Sequence, residues 1–382
     1  MKLGFACAWD APPELTWSHT PWRLRAALRD RVGHADEVVD VGITYPPALR
    51  TTLKAATARR HDGQWVSMWR HSRAARRYGE AAVRRAVART GCDVVLEIQD
   101  LVALDPPYLL YQDLSYDVLL ESAESEDGLI SFPTLSREGV LRLRDRQRAI
   151  YQDAAAVLAM SQWFADHLVT HSGVPAERVR VVRPGATAAQ DIDPELLAAA
   201  HQRRLAGPRT RLLFVGKDFR TKGGDAVLAA VELLRREVDP TITLTLVGPR
   251  MWVPSGPVPD GVRFLGRLPV AEIGALYHAH DLFVLPSRFE GFGIAFVEAL
   301  AHGLPCIGRD AFAMPEMITP GTNGDLVRGD DPAELATKIA AVLADVDQYQ
   351  QTVGAAAAVA GYHTWSRAAE QVLAVAREVS RG

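Results

Sequence analysis

The chain is expected to be an α/β protein of two doubly wound parallel sheets facing each other, and three observations lead there. Its 382 residues exceed what one hydrophobic core usually organises. Short apolar runs alternate with helical stretches in two successive blocks, the pattern of parallel strands joined by crossover helices. Between the blocks, residues 186–210 are Ala-rich and polar, carry Pro194 and Pro208, and show no strand signal. The expected domains are therefore 1–187, with a C-terminal helix over 366–382 packing back on it, and 188–365.

In the first block, residues 1–8 read as a strand. The loop from Trp9 to Pro21 follows, and Pro21 suits the first turn of a helix over Trp22 to Asp30. Val38 to Ile43 is the second expected strand. From Thr51 to Thr90 the chain reads as helical and basic, with nine arginines between Arg59 and Arg89 against Asp62 and Glu80. Strands follow at Asp93–Ile98 and Tyr108–Tyr111. Gln112 to Tyr116 lies at the C-terminal end of the latter, where open α/β sheets place ligands. Glu121 to Asp127 is polar and reads as a surface loop, and 135–153 as a charged helix. Ala155 to Ala159 is a strand, Ser161 caps a helix over Gln162 to His171, and Val179 to Val182 closes the block. The second block has strands at 211–215, 242–247, 262–265, 282–285, 304–307 and 325–327, with helices between and a last helix from Ser366 to Ser380.

Composition narrows the class. The 48% hydrophobic content can fill two cores. A formal charge of −3 gives no global sign of nucleic-acid binding. No apolar run approaches the roughly 18 residues that span a bilayer. The first residues lack the apolar core and cleavage site of a signal peptide, so the expected compartment is the cytosol. Cys7, Cys92 and Cys306 are isolated in apolar stretches and read as buried small hydrophobes.

Two stretches of the second block carry chemistry. The first is Gly216-Lys217-Asp218-Phe219-Arg220-Thr221-Lys222-Gly223-Gly224, a cationic glycine loop between a strand and a helix. Glycine lets a ligand approach the backbone, and lysine suits phosphate oxygens. Only five of the 43 basic residues are lysine (Lys2, Lys54, Lys217, Lys222 and Lys338), and two of them stand here, which favours a phosphate site over a solvated basic loop. The P-loop spacing is absent. The second stretch runs from Asp281 to Leu300: an apolar strand, Pro286, a polar turn, Gly291-Phe292-Gly293, then a helix from Ile294. Helix-start amides suit phosphate, and the carboxylates Glu290 and Glu298 suit sugar hydroxyls. The plain alternatives are a cap for Glu290 and a surface carboxylate for Glu298.

These residues resemble those of retaining glycosyltransferases of family four, which have the GT-B fold of two Rossmann-like domains. Glu290-Gly291-Phe292-Gly293 with Glu298 is similar to that family's E-x7-E signature. The loop 216–224 resembles its phosphate loop, Ser161 to Gly185 its exit from the first domain, and Pro315-Glu316 its late Pro-Glu element. The resemblance covers most of residues 155–320.

The resemblance implies a nucleotide-diphosphate sugar donor, a hydroxyl acceptor of unassigned type, retention, and no required metal or other cofactor. It implies that Lys222 and a second cation, Lys217 or Arg220, hold the diphosphate beside Gly216. Glu290 would bind the transferred sugar, and the amides of Phe292, Gly293 and Ile294, next to Gly291, would support sugar and phosphate. Glu298 would bind the ribose, and the segment with Arg267 and Leu268 would pass near the base. Retention would come from same-face attack with the leaving phosphate as base.

The acceptor belongs to the first domain, where relatives carry a glycine-rich loop. Here Thr16-Trp17-Ser18-His19-Thr20-Pro21-Trp22 resembles a variant of it with His19 in a glycine's place. Candidate acceptor residues are Trp17, Ser18, His19, Thr20, Trp22 and Asp113, and His19 and Asp113 join Glu290 and Lys222 as candidates for the chemistry. Trp17 and Trp22 could equally pack in the core, and His19 could be an exposed loop residue. The basic stretch 59–89 is either a solvated arginine face or a surface for the inner face of a membrane. Competing activities are a sugar-nucleotide epimerase or phosphorylase on the same fold, and a non-catalytic sugar-nucleotide-binding protein.

Overall fold

The structure is a computed structural model that describes residues 1–33, 36–61, 64–122, 132, 134–190 and 192–381. It divides into two compact units, one of Met1–Gly185 with Trp365–Gly382, the other of Ala186–Thr364. The chain enters and leaves the second unit at one place, where the Ala186 amide donates to the His363 carbonyl at 2.9 Å.

The strands, in chain order, are β1 (Lys2–Ala6), β2 (Glu37–Asp40), β3 (Ala58–His61), β4 (Gln64–Ser67), β5 (Val94–Ile98), β6 (Tyr108–Gln112), β7 (Ala156–Ala159), β8 (Val179–Val181), β9 (Arg211–Val215), β10 (Thr243–Val247), β11 (Val262–Gly266), β12 (Leu282–Val284), β13 (Cys306–Arg309) and β14 (Gly324–Val327). The first unit holds a parallel six-stranded sheet in the order β2-β1-β5-β6-β7-β8, and the second a parallel six-stranded sheet in the order β11-β10-β9-β12-β13-β14. Strands such as Leu109–Tyr111, Leu212–Phe214 and Leu282–Val284 are wholly buried, because helices cover both faces of a doubly wound sheet.

Parallel order makes each sheet reverse direction once. In the second unit the chain runs from β9 outward to β10 and β11, then returns to β12 on the other side of β9. The crevice outside the carboxyl ends of β9 and β12 is therefore that sheet's switch point, where such folds bind ligands. The loops that meet there are 216–224 and 285–293, the two stretches singled out by their residue types. In the first unit the reversal falls between β1 and β5, so the loop 7–19 leaves one of the two switch-point strands, and Asp113 leaves β6, one strand further along.

The helix expected over 51–90 is two helices, Pro47–Thr57 and Arg73–Thr90, separated by the antiparallel pair β3–β4. Arginine favours helix and hid the break. Trp65 and Val66 favour extended chain, and the Asp-Gly pair at 62–63, itself outside the described residues, is the sequence signal of a two-residue hairpin turn. Only Glu37–Asp40 of the expected second strand joins the sheet, although Ile43 still bridges Ala8. Strand β13 begins two residues later than expected, since Pro305 has no amide to donate, although its carbonyl accepts from the Phe283 amide at 2.9 Å. The strand-free stretch 186–210 contains the helix Pro194–Ala206, capped by Asp193. Of the expected polar loop, Glu121 and Ser122 end the helix Tyr116–Ser122, and 123–127 lie outside the described residues.

The C-terminal helix, Trp365–Val379, packs in the first unit against the helix Thr20–Arg31. Arg377 reaches Asp36 at 2.8 Å, and Arg31 donates to the Ser366 hydroxyl at 2.7 Å. All three cysteines are free and buried, as their apolar surroundings led us to expect. Among the described residues no helix is long and apolar enough to cross a membrane.

Candidate functional site

The second unit brings the two predicted motifs together. The helices Gly224–Glu237 and Ile294–Ala301 start from Gly223 and Gly293, both in the left-handed region with φ of 74° and 84°. A side chain would clash at either: a Cβ on Gly223 would lie 2.6 Å from the Pro286 carbonyl oxygen, and one on Gly293 2.8 Å from the Phe296 ring. Glycine is thus required for the turn and for the close approach of the loops. Neither helix start carries a side-chain cap, so their positive dipole ends are not neutralised from within by a capping oxygen.

Contacts on both sides stitch the loops to each other. The Arg288 amide donates to the Thr221 carbonyl at 2.8 Å. Lys222 Nζ donates to the Phe289 carbonyl at 3.2 Å and to Glu290 Oε2 at 2.9 Å. Both members of this ion pair are largely withdrawn from solvent. Ser287, fully buried, donates to the same Glu290 oxygen at 3.2 Å. Glu290 is therefore not a helix cap; it is a carboxylate positioned through Oε2 by Lys222 and Ser287. Gly216 packs directly on the Lys222 stem, where a Cβ would come within 2.9 Å of Cγ. Lys217 and Arg220 are exposed on the same loop.

A layer beneath fixes these loops, and residue types alone did not reveal it. Arg288 binds Asp225 at 2.7 Å, Asp330 at 2.9 Å and the Arg220 carbonyl at 2.6 Å. Burial disfavours its charge, but Asp225 and Asp330 outweigh that and raise its pKa. Arg309 completes the layer through Asp330 and the Pro286 carbonyl.

Glu298 sits in the first turns of its helix and is held from both sides. Its Oε1 accepts from the Ala188 amide at 2.9 Å, and its Oε2 from the Tyr277 hydroxyl at 3.2 Å. Burial raises its pKa, opposed by the Ala188 amide and the Tyr277 hydroxyl. The surface-carboxylate reading of Glu298 fails on this geometry. Phe292 is buried, with its ring 5.9 Å from that of His363. Arg267 and Leu268 leave the end of β11, two strands away from β9 along the sheet.

In the first unit, Trp17, Ser18 and His19 all take positive φ, of 40°, 54° and 70°. Three successive left-handed residues are costly for L-side chains, and a glycine at 19 would be free of that cost. Thr16 anchors the loop by accepting from the Asp10 amide at 2.7 Å, and Thr20 is buried at the start of its helix. Trp22 is not core: it is exposed and stands edge-on to Trp9, with the Arg25 guanidinium over both rings at 4.5 and 4.6 Å. Asp113 is half-buried just beyond β6.

Residues 209–345 match the model of the glycosyl transferases group 1 family. The chain is also similar to D-inositol 3-phosphate glycosyltransferase of Corynebacterium kroppenstedtii, 30% identical over 225 residues, or 53% of this chain and 48% of that protein. It thus spans about half the length of that relative. Among solved structures, sucrose-phosphate synthase from Thermosynechococcus elongatus superimposes with a TM-score of 0.75 at 18% identity, over 99% of each chain. Anabaena Alr3699/HepE in complex with UDP-glucose superimposes with a TM-score of 0.62 at 17% identity, over 98% of this chain and 99% of that one.

Proposed function

We propose, from the match of residues 209–345 to the glycosyl transferases group 1 family and from the GT-B fold, that the protein transfers a sugar from a nucleotide-diphosphate sugar to a hydroxyl acceptor, with retention of anomeric configuration and without a required metal. The observation that carries this reading is the Lys222–Glu290 pair at the switch point of the second sheet. It sets a cation for phosphate and a carboxylate for sugar hydroxyls side by side, next to two uncapped helix starts.

The mechanism follows from where charge develops. As the sugar–phosphate bond breaks, the anomeric carbon becomes positive and the diphosphate gains negative charge. Lys222, a second cation from Lys217 or Arg220, and the amides at residues 292–294 stabilise the leaving group. Preorganised donors of this kind are worth roughly 3–4 kcal/mol each, so three supply much of a typical rate enhancement. They perform the charge neutralisation that a divalent ion performs elsewhere, which is why we assign none to the reaction. Glu290 orients the sugar, and Glu298 takes a ribose hydroxyl through the lone pair beyond those given to Ala188, Thr187 and Tyr277. The acceptor hydroxyl attacks from the face the phosphate leaves, and a phosphate oxygen takes its proton. We assign the acceptor to the first unit, through His19, Trp17, Ser18, Thr20, Trp22 and Asp113.

UDP-glucose, bound by the HepE neighbour, is the first donor to test. Pure protein with the right donor should release free sugar slowly, with unchanged anomeric configuration by NMR and an undiminished rate in EDTA. An epimerised nucleotide sugar would replace this reading with an epimerase, phosphate-dependent release with a phosphorylase, and binding without any turnover with a sugar-nucleotide sensor. One observation also favours membrane docking through 59–89: Trp65 is 76% exposed on the hairpin that carries Arg59 and Arg60. An aromatic ring beside cations suits an anionic headgroup layer. Binding to vesicles with phosphatidylserine, but not to neutral ones, and its loss in R59E/R60E, would support that surface.

A further inference from the structure

The helix Tyr116–Ser122 leaves β6, and the helix Gln162–Thr170 leaves the adjacent strand β7. Three potential metal ligands converge between them. His167 and His171 are one helical turn apart and so share a face. His167 Nε2 lies 3.0 Å from both carboxylate oxygens of Glu121, and His171 Nε2 lies 3.9 Å from Oε1. The two rings stack at 4.5 Å, and one donor atom from each of the three residues falls within 4.8 Å of the others. Two ligands of a tetrahedral zinc ion, each 2.0–2.1 Å from it, are about 3.3 Å apart. The observed separations bracket that value, so small side-chain adjustments close the site.

Hydrogen bonding assigns one tautomer. The Thr170 hydroxyl donates to the Asp166 carbonyl at 2.8 Å, which leaves its oxygen to accept from His171 Nδ1 at 2.6 Å. With its proton on Nδ1, neutral His171 turns the Nε2 lone pair toward the Glu121 carboxylate. Two electron-rich groups facing each other call for a cation between them. The Thr170 contact is also the kind of outer partner that orients a metal-bound imidazole.

We propose that Glu121, His167 and His171 form a zinc-class divalent metal site that clips the helix after β6 to the helix after β7. The imidazole and carboxylate set suits zinc, with a fourth position for water because Glu121 and His171 are exposed. It lies in the first unit, whereas Lys222 and Glu290 lie in the second, so metal loading can be tested apart from the proposed donor residues. His167 Nδ1 is buried without a partner among the described residues. The metal-bound tautomer carries an unpaired N–H there, which limits affinity to the order of 1–10 µM, well short of a structural zinc finger. No metal site was expected from the residues in sequence. Only the His-x3-His spacing was visible, and Glu121 stands 46 residues before His167.

The test uses tag-free, chelator-treated protein titrated with Co2+ alone. The expected result is tetrahedral visible bands that saturate at micromolar cobalt and vanish on adding Zn2+, together with a rise in melting temperature. Glu121→Gln and His171→Ala, both at exposed positions, should each weaken binding by about tenfold or more and leave the metal-free melting temperature unchanged, and Thr170→Val should weaken it with all three ligands intact. No bands and no thermal shift at about 100 µM of either metal, tens of times the expected Kd, would overturn the site and leave the three side chains as a hydrogen-bonded cluster. Parent-like binding by Glu121→Gln and His171→Ala would overturn it equally, by placing the metal elsewhere.

Discussion

Replacing Lys222 with alanine is the sharpest probe of the proposed donor site. The perturbation removes a largely buried ammonium that now lies 2.9 Å from Glu290 and 3.2 Å from the Phe289 carbonyl. A charge-assisted hydrogen bond is worth about 1.5–3 kcal/mol, and the withdrawn position of this one argues for the middle of that range or above. About 2 kcal/mol corresponds to a roughly 30-fold weaker nucleotide Kd. With nucleotide at 100 times the parent Kd, the parent gains about 2.7 kcal/mol of stability by mass action and the variant about 0.9. For a unit of this size that is a shift of about 5–11 °C against about 2–3 °C. The assay is thermal unfolding with and without the best of UDP, GDP, ADP and TDP. Removing Lys222 also leaves Glu290 as a carboxylate without its cation, so Lys222→Ala/Glu290→Ala should recover part of the loss. If Lys222→Ala shifts as the parent does, the diphosphate is not held by this loop and the site assignment is wrong.

Other expectations rest on separate contacts. Glu298→Ala strands the Ala188 amide and leaves the Tyr277 hydroxyl only the Ala295 carbonyl at 3.4 Å, so it should cost about 1–3 kcal/mol in urea unfolding and abolish the nucleotide shift; a full shift would exclude Glu298 from the proposed ribose contact. His19→Gly removes a left-handed side chain and should gain roughly 0.5–1 kcal/mol after glycine's own entropy cost; a loss of stability would mean His19 makes contacts worth more than its strain. Glu97 is fully buried, and burial, opposed by the Val102 and Leu101 amides, raises its pKa from about 4.5 to about 8. Between those pH values the folded chain holds a proton the unfolded chain has lost. Stability from this group is therefore fully present below about 4.5 and lost as pH rises through about 8. At about 1.4 kcal/mol per unit the ceiling is a few kcal/mol. Glu97→Gln should flatten the fall, as read from urea midpoints at acid, neutral and alkaline pH; an unchanged slope would exclude Glu97 as its source.

What could be read from residue order alone was whatever acts over a few residues. Alternating apolar runs predicted both sheets, since a buried parallel strand must be continuously apolar. Glycine before each site helix predicted the tight turns, since Gly223 and Gly293 need positive φ. The two lysines and two glutamates marked chemistry because those side chains are rare or costly in such places. Local propensity misled where it was strong and wrong: arginine-rich helix formers at 51–90 masked the β3–β4 hairpin, and Trp65 was read only as part of a basic helix. The His19 loop showed its missing glycine in the sequence, but its run of left-handed residues is a property of the folded backbone.

Lys222 and Glu290 are 68 residues apart, and no local rule brings them within 2.9 Å. Strand order does so, by placing β12 beside β9 and turning their two loops into one site. The same holds for Glu298 and the Ala188 amide, 110 residues apart, and for Glu121 and His167. Residue order sets which chemical groups are available and which short segments present them. Which groups meet follows from the fold, because adjacency across a sheet depends on the packing of every strand and helix around it.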